Sequence, residues 1–229
     1  MQKISILGDS ILKGVQLDDN SRRYVISDEL GFDAIAEKAG LTVRNFSKFG
    51  CTITKAWSYV QNMFAKIDAD LVFMDFGGND CDFNWQAIAE SPLEIHKPNT
   101  DYSEFVTTYG NLVSYMKARR ALPVLSTLVP VQSDMYMDYI CKTKGLDKAA
   151  IRQWLANGNC VEHYQQMYSD AIRKVASDNE IPLVDIREAF REERNVKALM
   201  CADGIHPNKR GQRVIRDCFA SFIDDYIAL

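Results

Sequence analysis

The stretch KISILGDS, from Lys3 to Ser10, decides the fold of this chain. It opens with a short apolar run that contains the β-branched Ile4 and Ile6, and it stops abruptly at Gly8. Such a run, bounded by a turn residue, is typical of a buried strand in a parallel sheet. The ligand crevice of an open α/β sheet lies outside the carboxyl ends of its strands. Ser10 therefore stands where such a fold does its chemistry, although a serine in this place is also a common helix N-cap.

Strand and helix patterns alternate along the rest of the chain. Further strands are predicted for four apolar runs: Leu41–Phe46, Ala69–Phe76, Leu122–Leu128 and Pro182–Ile186. Helices are predicted for five segments with apolar residues at helical spacing: Asp28–Gly40, Thr54–Ile67, Ser103–Arg119, Val161–Asp178 and Lys209–Tyr226. Leu17–Tyr24 is predicted to be a polar loop, and Cys81–Thr100 a loop with short helical pieces. The alternation predicts one domain, residues 1–229, built as a three-layer α/β/α sandwich around a doubly wound parallel sheet of about five strands.

Two of these helices carry more detailed predictions. Ser27 is expected to cap the helix that starts at Asp28, because serine favours the N-cap and acidic residues follow it in the first turn. In the next helix, Trp57 shares an apolar stripe with Phe64 and Ile67. A stripe at helical spacing is more often core than part of a cofactor site, so Trp57 is predicted to lie in the core.

One segment, residues 131–159, does not fit the alternation. It predicts two short helices inserted after the fourth strand, at the active end of the sheet, either as extra packing surface or as a wall over a pocket. Together with Cys81–Thr100 it carries five aromatic residues that we interpret as lining the mouth of a pocket: Phe83, Trp85, Tyr136, Tyr139 and Trp154. Interspersed with acidic and amide side chains, such rings suit a sugar substrate. The alternative is that they only fold the insertion onto the sheet.

Composition and charge exclude several classes of function. The net charge of −4 argues against nucleic acid as a partner, since a phosphate-binding surface needs clustered Lys and Arg. The six cysteines form no C-x-x-C pair and are expected to be reduced, and the three histidines are isolated, so no metal site is predicted. No apolar stretch approaches the span of a bilayer, and the N-terminus lacks the pattern of a signal peptide. A cytoplasmic location is therefore expected.

Polar residues follow the predicted strands at the points where the strands end. They are Gly8-Asp9-Ser10, Asn45 to Gly50 and Gly77 to Asp80, and a later loop carries Asp203 and His206. A hydrolytic serine needs a base, a carboxylate that orients the base, and hydrogen-bond donors for the oxyanion. Asp203 and His206 supply the carboxylate and the base. Asn79 offers a side-chain N–H and Gly50 an unshielded backbone N–H.

These four blocks resemble those of the SGNH hydrolases, also called GDSL esterases and lipases. Gly8 to Ser10 match the nucleophile block, with Ile11 in place of the usual leucine, and Asp203 to Pro207 match the D-x-x-H block. The resemblance implies a flavodoxin-like sandwich and Ser10 as the nucleophile, with no cofactor. It also implies an oxyanion hole formed by the Ser10 amide, the Gly50 amide and the Asn79 side chain. Within the blocks, Asp9 is expected to bond its own turn and Asp80 to brace the Asn79 loop.

Three functions remain open. The first is hydrolysis of small acyl esters, with acetylated oligosaccharides as a candidate substrate, because the family that the chain resembles holds many such enzymes. The second is a lipid-directed acylhydrolase, a lysophospholipase or thioesterase, with the same machinery and a longer pocket. The third is a non-catalytic flavodoxin-like protein that binds a nucleotide or flavin phosphate. This last function needs a glycine-rich phosphate loop, and GDSILKG, from Gly8 to Gly14, offers only two glycines.

Overall fold

The computed structural model describes residues 2–63 and 67–227. Its centre is a sheet of five parallel strands: β1 (Lys3–Gly8), β4 (Thr42–Asn45), β5 (Leu71–Asp75), β6 (Leu122–Ser126) and β7 (Leu183–Val184). The strands lie in the order β4-β1-β5-β6-β7. The chain therefore starts inside the sheet, adds one strand on one side and then builds outward on the other. This order is that of a doubly wound flavodoxin-like sheet, and it confirms the predicted fold class.

Two helical layers cover the sheet. The helices are α1 (Phe32–Lys38), α2 (Ile53–Met63), α3 (Trp85–Glu90), α4 (Tyr102–Lys117), α5 (Ser133–Lys144), α6 (Lys148–Ala156), α7 (Val161–Asp178), α8 (Ile186–Glu192) and α9 (Lys209–Ile227). On one face, α2, α4 and α7 bury an apolar cluster that includes Val60, Leu112 and Ile172. On the other face, α8 and α9 contribute Phe190 and Phe219 to a second cluster. Trp57 packs against the first cluster, which confirms its predicted place in the core.

β1 is an interior strand of the sheet, with β4 on one side and β5 on the other. Ile4 lies beside Val43 of β4 and Leu71 of β5, and Gly8 at its end lies beside Asp75. A Cβ on Gly8 would come within 3.2 Å of the Asp75 carbonyl oxygen and the Ser47 hydroxyl. Glycine therefore ends β1 because the loops after the neighbouring strands approach its backbone closely.

The prediction of a polar loop for Leu17–Tyr24 is wrong at both ends, because Leu17 and Tyr24 belong to strands. A small antiparallel hairpin forms there, with β2 (Val15–Leu17) paired to β3 (Tyr24–Ile26). Its turn is held by Asp18, whose carboxylate accepts a 2.6 Å hydrogen bond from the Ser21 backbone N–H. The hairpin escapes sequence analysis because strands of three residues are too short to show an alternating pattern.

Several predicted boundaries also differ from the structure. The helix predicted for Asp28–Gly40 is interrupted at Gly31, whose φ of 57° separates a short 3₁₀ turn from α1. Ser27 caps the 3₁₀ turn by accepting a hydrogen bond from the Glu29 N–H, as predicted for its role. The strand predicted for Pro182–Ile186 has only two residues, those of β7, because α8 begins at Ile186. Of the predicted end of α2, residues 64–66 lie outside the described residues, and the prediction is wrong at Ile67, which is described and is not helical.

The insertion at residues 131–159 forms two short helices, α5 and α6, as predicted. With α3 they enclose a third apolar cluster, in which Trp85 and Trp154 are each only 1% exposed. The rings of these two tryptophans meet edge to face with centroids 5.5 Å apart, and Phe83 is also buried among them. The interpretation that Phe83, Trp85 and Trp154 line the mouth of a pocket is therefore wrong. They fold the insertion onto the sheet.

All six cysteines are free in this structure. Among residues 2–63 and 67–227, no helix combines the length and the apolar character that a membrane span requires.

The packing of the insertion gives a prediction for its stability. Trp154→Ala should lower the free energy of unfolding by about 3–5 kcal/mol, because it removes a buried aromatic side chain and leaves a cavity. Urea denaturation followed by circular dichroism measures this. Leu155→Ala on the same helix, where the side chain is half-buried, is the matched control and should cost less. Equal losses for both variants would contradict the packing described here.

Candidate active site

The turn after β1 carries Ser10. The Asp9 carboxylate accepts a 2.8 Å hydrogen bond from the Ile11 N–H, which closes the turn locally as expected from the sequence. The chain then passes through turns to Gly14 and enters β2. No helix follows Ser10 within this described stretch, so the alternative role of Ser10 as a helix N-cap is not realised.

His206 connects Ser10 to Asp203 by hydrogen bonds. The distance from His206 Nε2 to Ser10 Oγ is 2.9 Å, and the distance from His206 Nδ1 to Asp203 Oδ2 is 2.7 Å. All three side chains are buried. With the Asp203 carboxylate accepting a hydrogen bond from Nδ1–H, Nε2 is left as the acceptor that faces the Ser10 hydroxyl. The structure thus brings three residues that sequence analysis selected into one hydrogen-bonded chain.

Asp203 is held in its charged form. Burial by itself would raise the pKa of Asp203, but the hydrogen bond and charge of His206 act in the opposite direction, as do the backbone N–H groups of His206 and Ile205. Together these contacts keep the pKa of Asp203 below its ordinary value. The Ile205 and His206 N–H groups both bond to Asp203 Oδ1, at 3.1 and 3.0 Å. The carboxylate therefore orients both its own loop and the imidazole.

The loop that carries Asp203 and His206 is seated on the insertion. Gly204 has a φ of 73°, and a Cβ at this position would lie 2.6 Å from the Gln132 carbonyl oxygen and 2.7 Å from the Tyr136 nitrogen. The Gln132 N–H in turn donates a 2.8 Å hydrogen bond to the Gly204 carbonyl. Only glycine fits this contact. The start of α5 therefore forms a backing surface for the histidine loop.

Asn79 lies in the same cavity as Ser10 and His206. Its side-chain nitrogen donates a 2.7 Å hydrogen bond to Asp9 Oδ2 and a longer one, 3.3 Å, to the Cys51 carbonyl. The hydrogen bond that Asn79 donates to Asp9 was not predicted from the sequence. Asp9 thus links the serine turn to the asparagine loop as well as closing its own turn.

The loop that contains Gly50 adjoins this site. Its Lys48 N–H donates a 2.9 Å hydrogen bond to the Gly8 carbonyl, which ties the loop to the end of β1. Gly50 has a φ of 64°, and a Cβ there would meet nothing within 4 Å. Glycine is favoured at this position by the backbone conformation rather than by lack of space. Among the described residues, Gly50 is not one of those that line the cavity around Ser10.

Asp80 braces the asparagine loop, as expected. Its carboxylate accepts hydrogen bonds from the Ile53 N–H, at 3.0 and 3.2 Å, and from the Thr100 hydroxyl, at 2.7 Å. Ile53 is the first residue of α2, so Asp80 supplies an acceptor to the N-terminus of that helix from another part of the chain. Burial raises the pKa of Asp80 to about 6, against the effect of these donors.

Two further carboxyl groups are buried beside Ser10. Burial raises the pKa of Asp9 to about 6, although the Ile11 N–H, the charge of His206 and the Asn79 amide all act to lower it. Asp75, at the end of β5, lines the same cavity, and burial together with the neighbouring Asp9 raises its pKa well above the ordinary value. Asp75 was not selected from the sequence because it stands within an apolar run and carries no motif.

An apolar cavity extends from Ser10 and His206 toward the insertion. The centre of a water-sized sphere can reach about 80 Å³ of it. Its wall includes four aliphatic side chains: Leu128, Val129, Val131 and Val161. Two polar side chains of the wall bond to the protein itself: the Tyr136 hydroxyl donates to Asp82 at 2.7 Å, and Gln165 donates to the Val129 carbonyl at 2.9 Å. The cavity therefore offers apolar contact to a small group.

Two aromatic rings beside His206 were missed by sequence analysis. The Tyr24 and Phe49 ring centroids lie 5.0 and 6.1 Å from that of His206, and 5.5 Å from each other. Burial raises the pKa of the Tyr24 hydroxyl, and the adjacent Tyr139 and Asp203 raise it further. The sequence placed Tyr24 in a polar loop. Only the hairpin of β2 and β3 brings it to the histidine.

The buried carboxyl of Asp75 gives a prediction for stability against pH. In the unfolded chain this group ionises near pH 4, whereas the folded protein binds its proton more tightly. The free energy of unfolding should therefore fall as pH rises above about 4. Asp75→Asn, which cannot ionise, should weaken this pH dependence and should gain stability relative to the unchanged protein between pH 4.5 and pH 8.

Urea denaturation at several pH values measures the effect. Asp19→Asn, at an exposed position, is the matched control and should leave the pH dependence unchanged. The prediction is contradicted if Asp75→Asn and Asp19→Asn give the same pH dependence.

Comparison with known proteins shows the family to which this chain belongs. Residues 6–214 match the GDSL-like lipase/acylhydrolase family. The GDSL esterase/lipase CPRD49 of Arabidopsis thaliana is 26% identical in an alignment that covers 80% of this chain and 66% of that protein, slightly less than two thirds of its length. The isoamyl acetate-hydrolyzing esterase of Saccharomyces cerevisiae is 21% identical in an alignment that covers 98% of this chain and 87% of that protein.

Solved structures show the same fold. A lipase/acylhydrolase from Enterococcus faecalis superposes with a TM-score of 0.71 at 16% identity, covering 99% of this chain and 97% of its own. An acetyl xylan esterase superposes with a TM-score of 0.64 at 19% identity, covering 96% and 97%. The match from residue 6 to residue 214 spans most of the sequence. The chain therefore belongs to the GDSL-like lipase/acylhydrolase family.

Proposed function

We propose that this protein is a serine esterase that hydrolyses small acyl esters, with Ser10 as nucleophile. The observation that carries the proposal is the buried chain of hydrogen bonds from Asp203 through His206 to the Ser10 hydroxyl. Its geometry is that required of a carboxylate, a base and a nucleophile acting together. Family membership supports a hydrolase over the non-catalytic binding protein that the sequence left open.

The proposed reaction has two steps. As Ser10 Oγ attacks the ester carbonyl carbon, His206 Nε2 takes the hydroxyl proton, and Asp203 stabilises the resulting imidazolium. The tetrahedral intermediate collapses when the bond to the alcohol oxygen breaks and His206 returns the proton to that oxygen. Water then attacks the acyl-enzyme by the same route, which releases the carboxylic acid and restores Ser10. The residues supply all the proton transfers, so no cofactor is needed.

The oxyanion would be held by the backbone N–H groups of Ser10 and Gly50 and by the side chain of Asn79. The Asn79 amide has two hydrogens, and its two acceptors differ in strength. The 2.7 Å bond to Asp9 anchors the side chain, whereas the 3.3 Å contact with the Cys51 carbonyl is weak enough for a substrate oxygen to replace it. In this proposal Asp9 is a positioning residue, which holds Asn79 ready for the charge that develops in the transition state.

The size of the cavity favours a small substrate over a lipid. The centre of a water-sized sphere can reach only about 80 Å³ of the cavity, which is little space for an acyl chain of many methylene groups. A short acyl chain fits, while the long chain of a lysophospholipid or acyl thioester needs a longer groove. The names of the yeast relative and of the acetyl xylan esterase both refer to acetate esters, which supports acetyl as the acyl group.

The cavity limits the alcohol part of the ester less than it limits the acyl part. Acetylated oligosaccharides remain a candidate through the acetyl xylan esterase, but Trp85 and Trp154 are buried and cannot stack on a sugar. The six free cysteines support a reducing compartment such as the cytoplasm.

The proposed function is tested with purified protein and p-nitrophenyl esters from acetate to octanoate. Activity should peak at acetate or propionate and fall steeply by octanoate. Ser10→Ala and His206→Ala should each lower kcat by several orders of magnitude, and the double variant should lose little more, because the residues act as a unit. A Ser10→Ala variant that keeps most of the activity would overturn the assignment of the nucleophile. A preference for octanoate would instead favour the lipid-directed acylhydrolase.

The oxyanion donor and its anchor give a separate prediction. Asn79→Ala should lower kcat by about 100- to 1,000-fold with little change in KM, because the donor meets charge that exists only in the transition state. Asp9→Asn should lower kcat in the same way but less, since its amide nitrogen cannot accept the bond from Asn79. The control is Asn62→Ala, an exposed asparagine on α2, which should leave kcat unchanged. An effect of Asn79→Ala confined to KM would instead indicate a substrate-binding role.

A further inference from the structure

Tyr24 and Phe49 present aromatic surface to solvent next to the catalytic histidine. The Tyr24 and Phe49 side chains are 39% and 56% exposed. Their ring centroids lie 5.0 and 6.1 Å from the centroid of the His206 imidazole. Neither residue lines the enclosed cavity that leads from Ser10 toward the insertion. The site therefore has two distinct apolar surfaces, one enclosed and one open, and His206 touches both.

Both rings are held by the same elements that build the site. Tyr24 pairs with Leu17 across the hairpin of β2 and β3, while its hydroxyl faces Asp203 and Tyr139. Phe49 lies between Lys48, whose N–H bonds to the Gly8 carbonyl, and Gly50. The backbone around each ring is thus tied to the elements that carry Ser10 and His206, so the fold itself places both rings beside the site.

The chemistry of ester cleavage determines which part of a substrate lies near each surface. His206 returns its proton to the alcohol oxygen, so this oxygen must come within hydrogen-bond distance of Nε2. The acyl group extends from the opposite side of the carbonyl carbon. When a small acyl group occupies the enclosed cavity, the alcohol must leave it past His206, which is where Tyr24 and Phe49 lie.

We propose that Tyr24 and Phe49 form an aromatic shelf that binds the alcohol part of the ester through a face rich in C–H groups. The inference rests on the proposed esterase function and names the part of its substrate that the cavity does not accommodate. The shelf offers ring faces, and its one polar group, the Tyr24 hydroxyl, is turned toward Asp203 and Tyr139. A cyclic or branched alcohol and the apolar face of a pyranose share the chemistry that such rings recognise.

The shelf is tested with acetate esters, in which the acyl group stays constant and only the alcohol changes. Ethyl acetate is the small substrate, cyclohexylmethyl acetate carries a bulky alkyl alcohol, and a mono-O-acetylated methyl xyloside carries a sugar. Phe49→Ala should lower kcat/KM for at least one of the two larger esters by about tenfold, mainly through KM, because a stacked ring is lost. Its kcat/KM for ethyl acetate should change little. Which larger ester is affected distinguishes an alkyl from a sugar alcohol.

Three further measurements complete the test. Tyr24→Phe keeps the ring and should preserve the preference for the larger alcohol. Ile95→Ala, at another exposed apolar side chain, should affect none of the acetates. In a series of ethyl esters from acetate to butyrate, Phe49→Ala should not change the dependence on acyl length.

The outcomes separate the shelf from the function on which it rests. If Phe49→Ala lowers kcat/KM equally for ethyl acetate and for both larger acetates, the ring only supports His206 and the shelf is overturned. If it changes the acyl-length dependence instead, the assignment of the two surfaces is reversed and the shelf is again overturned. Absence of any ester hydrolysis that depends on Ser10 would overturn the proposed function together with the shelf.

Discussion

The hydrogen bond between His206 Nε2 and Ser10 Oγ joins residues that are 196 positions apart, and the arrangement of the site depends on it. It requires the loop before α9 to lie against the end of β1. Gln212 of α9 secures this contact, because its buried side chain donates a 3.1 Å hydrogen bond to the Gly14 carbonyl just after the serine turn. Gly211 allows the close approach on the other side, where a Cβ would lie 2.4 Å from the Leu199 carbonyl oxygen. The last helix is therefore part of the active-site framework.

Several carboxyl groups of the site are buried, where a negative charge is unfavourable because it is removed from water. Asp9, Asp75 and Asp80 are all buried, and burial raises the pKa of each. Asp203 differs because His206 and two backbone N–H groups keep it charged. The difference lies in the balance between burial and partners. At Asp203 the hydrogen bonds and the charge of His206 outweigh the effect of burial on the pKa, whereas at Asp9 and Asp80 the partners lower the pKa by less than burial raises it. We infer that burying these carboxyl groups lowers the stability of the fold, and that their hydrogen bonds in return hold Asn79 and the serine turn in place.

The candidate catalytic residues could be predicted from the sequence because strands in a parallel sheet end at the same edge. Once β1 and β5 are recognised, Ser10 and Asn79 are expected at the same edge of the sheet, and the strand order then makes them neighbours. Asp203 and His206 needed the four-block pattern, since neither follows a strand directly. Asp75 could not be predicted, because nothing distinguishes a functional carboxyl from a strand residue until its neighbours are known.

The contacts that sequence analysis missed are tertiary. Tyr24 reaches His206 only through a hairpin whose strands have three residues each, too few to show an alternating pattern. In the opposite direction, Trp85 and Trp154 were given a role in the pocket because their residue type suits a sugar, yet they pack against each other. An aromatic residue in an insertion can line a pocket or fill a core, and only its packing decides between the two.

The central claim, that Ser10 is a nucleophile activated by His206, is tested most directly by covalent labelling. The protein is treated at pH 8 with a p-nitrophenyl alkylphosphonate, and the site of modification is located by mass spectrometry of peptides. The account predicts one stoichiometric adduct on Ser10, with labelling abolished in Ser10→Ala and strongly slowed in His206→Ala. An adduct on another residue, or equal labelling of the unchanged protein and Ser10→Ala, would contradict it.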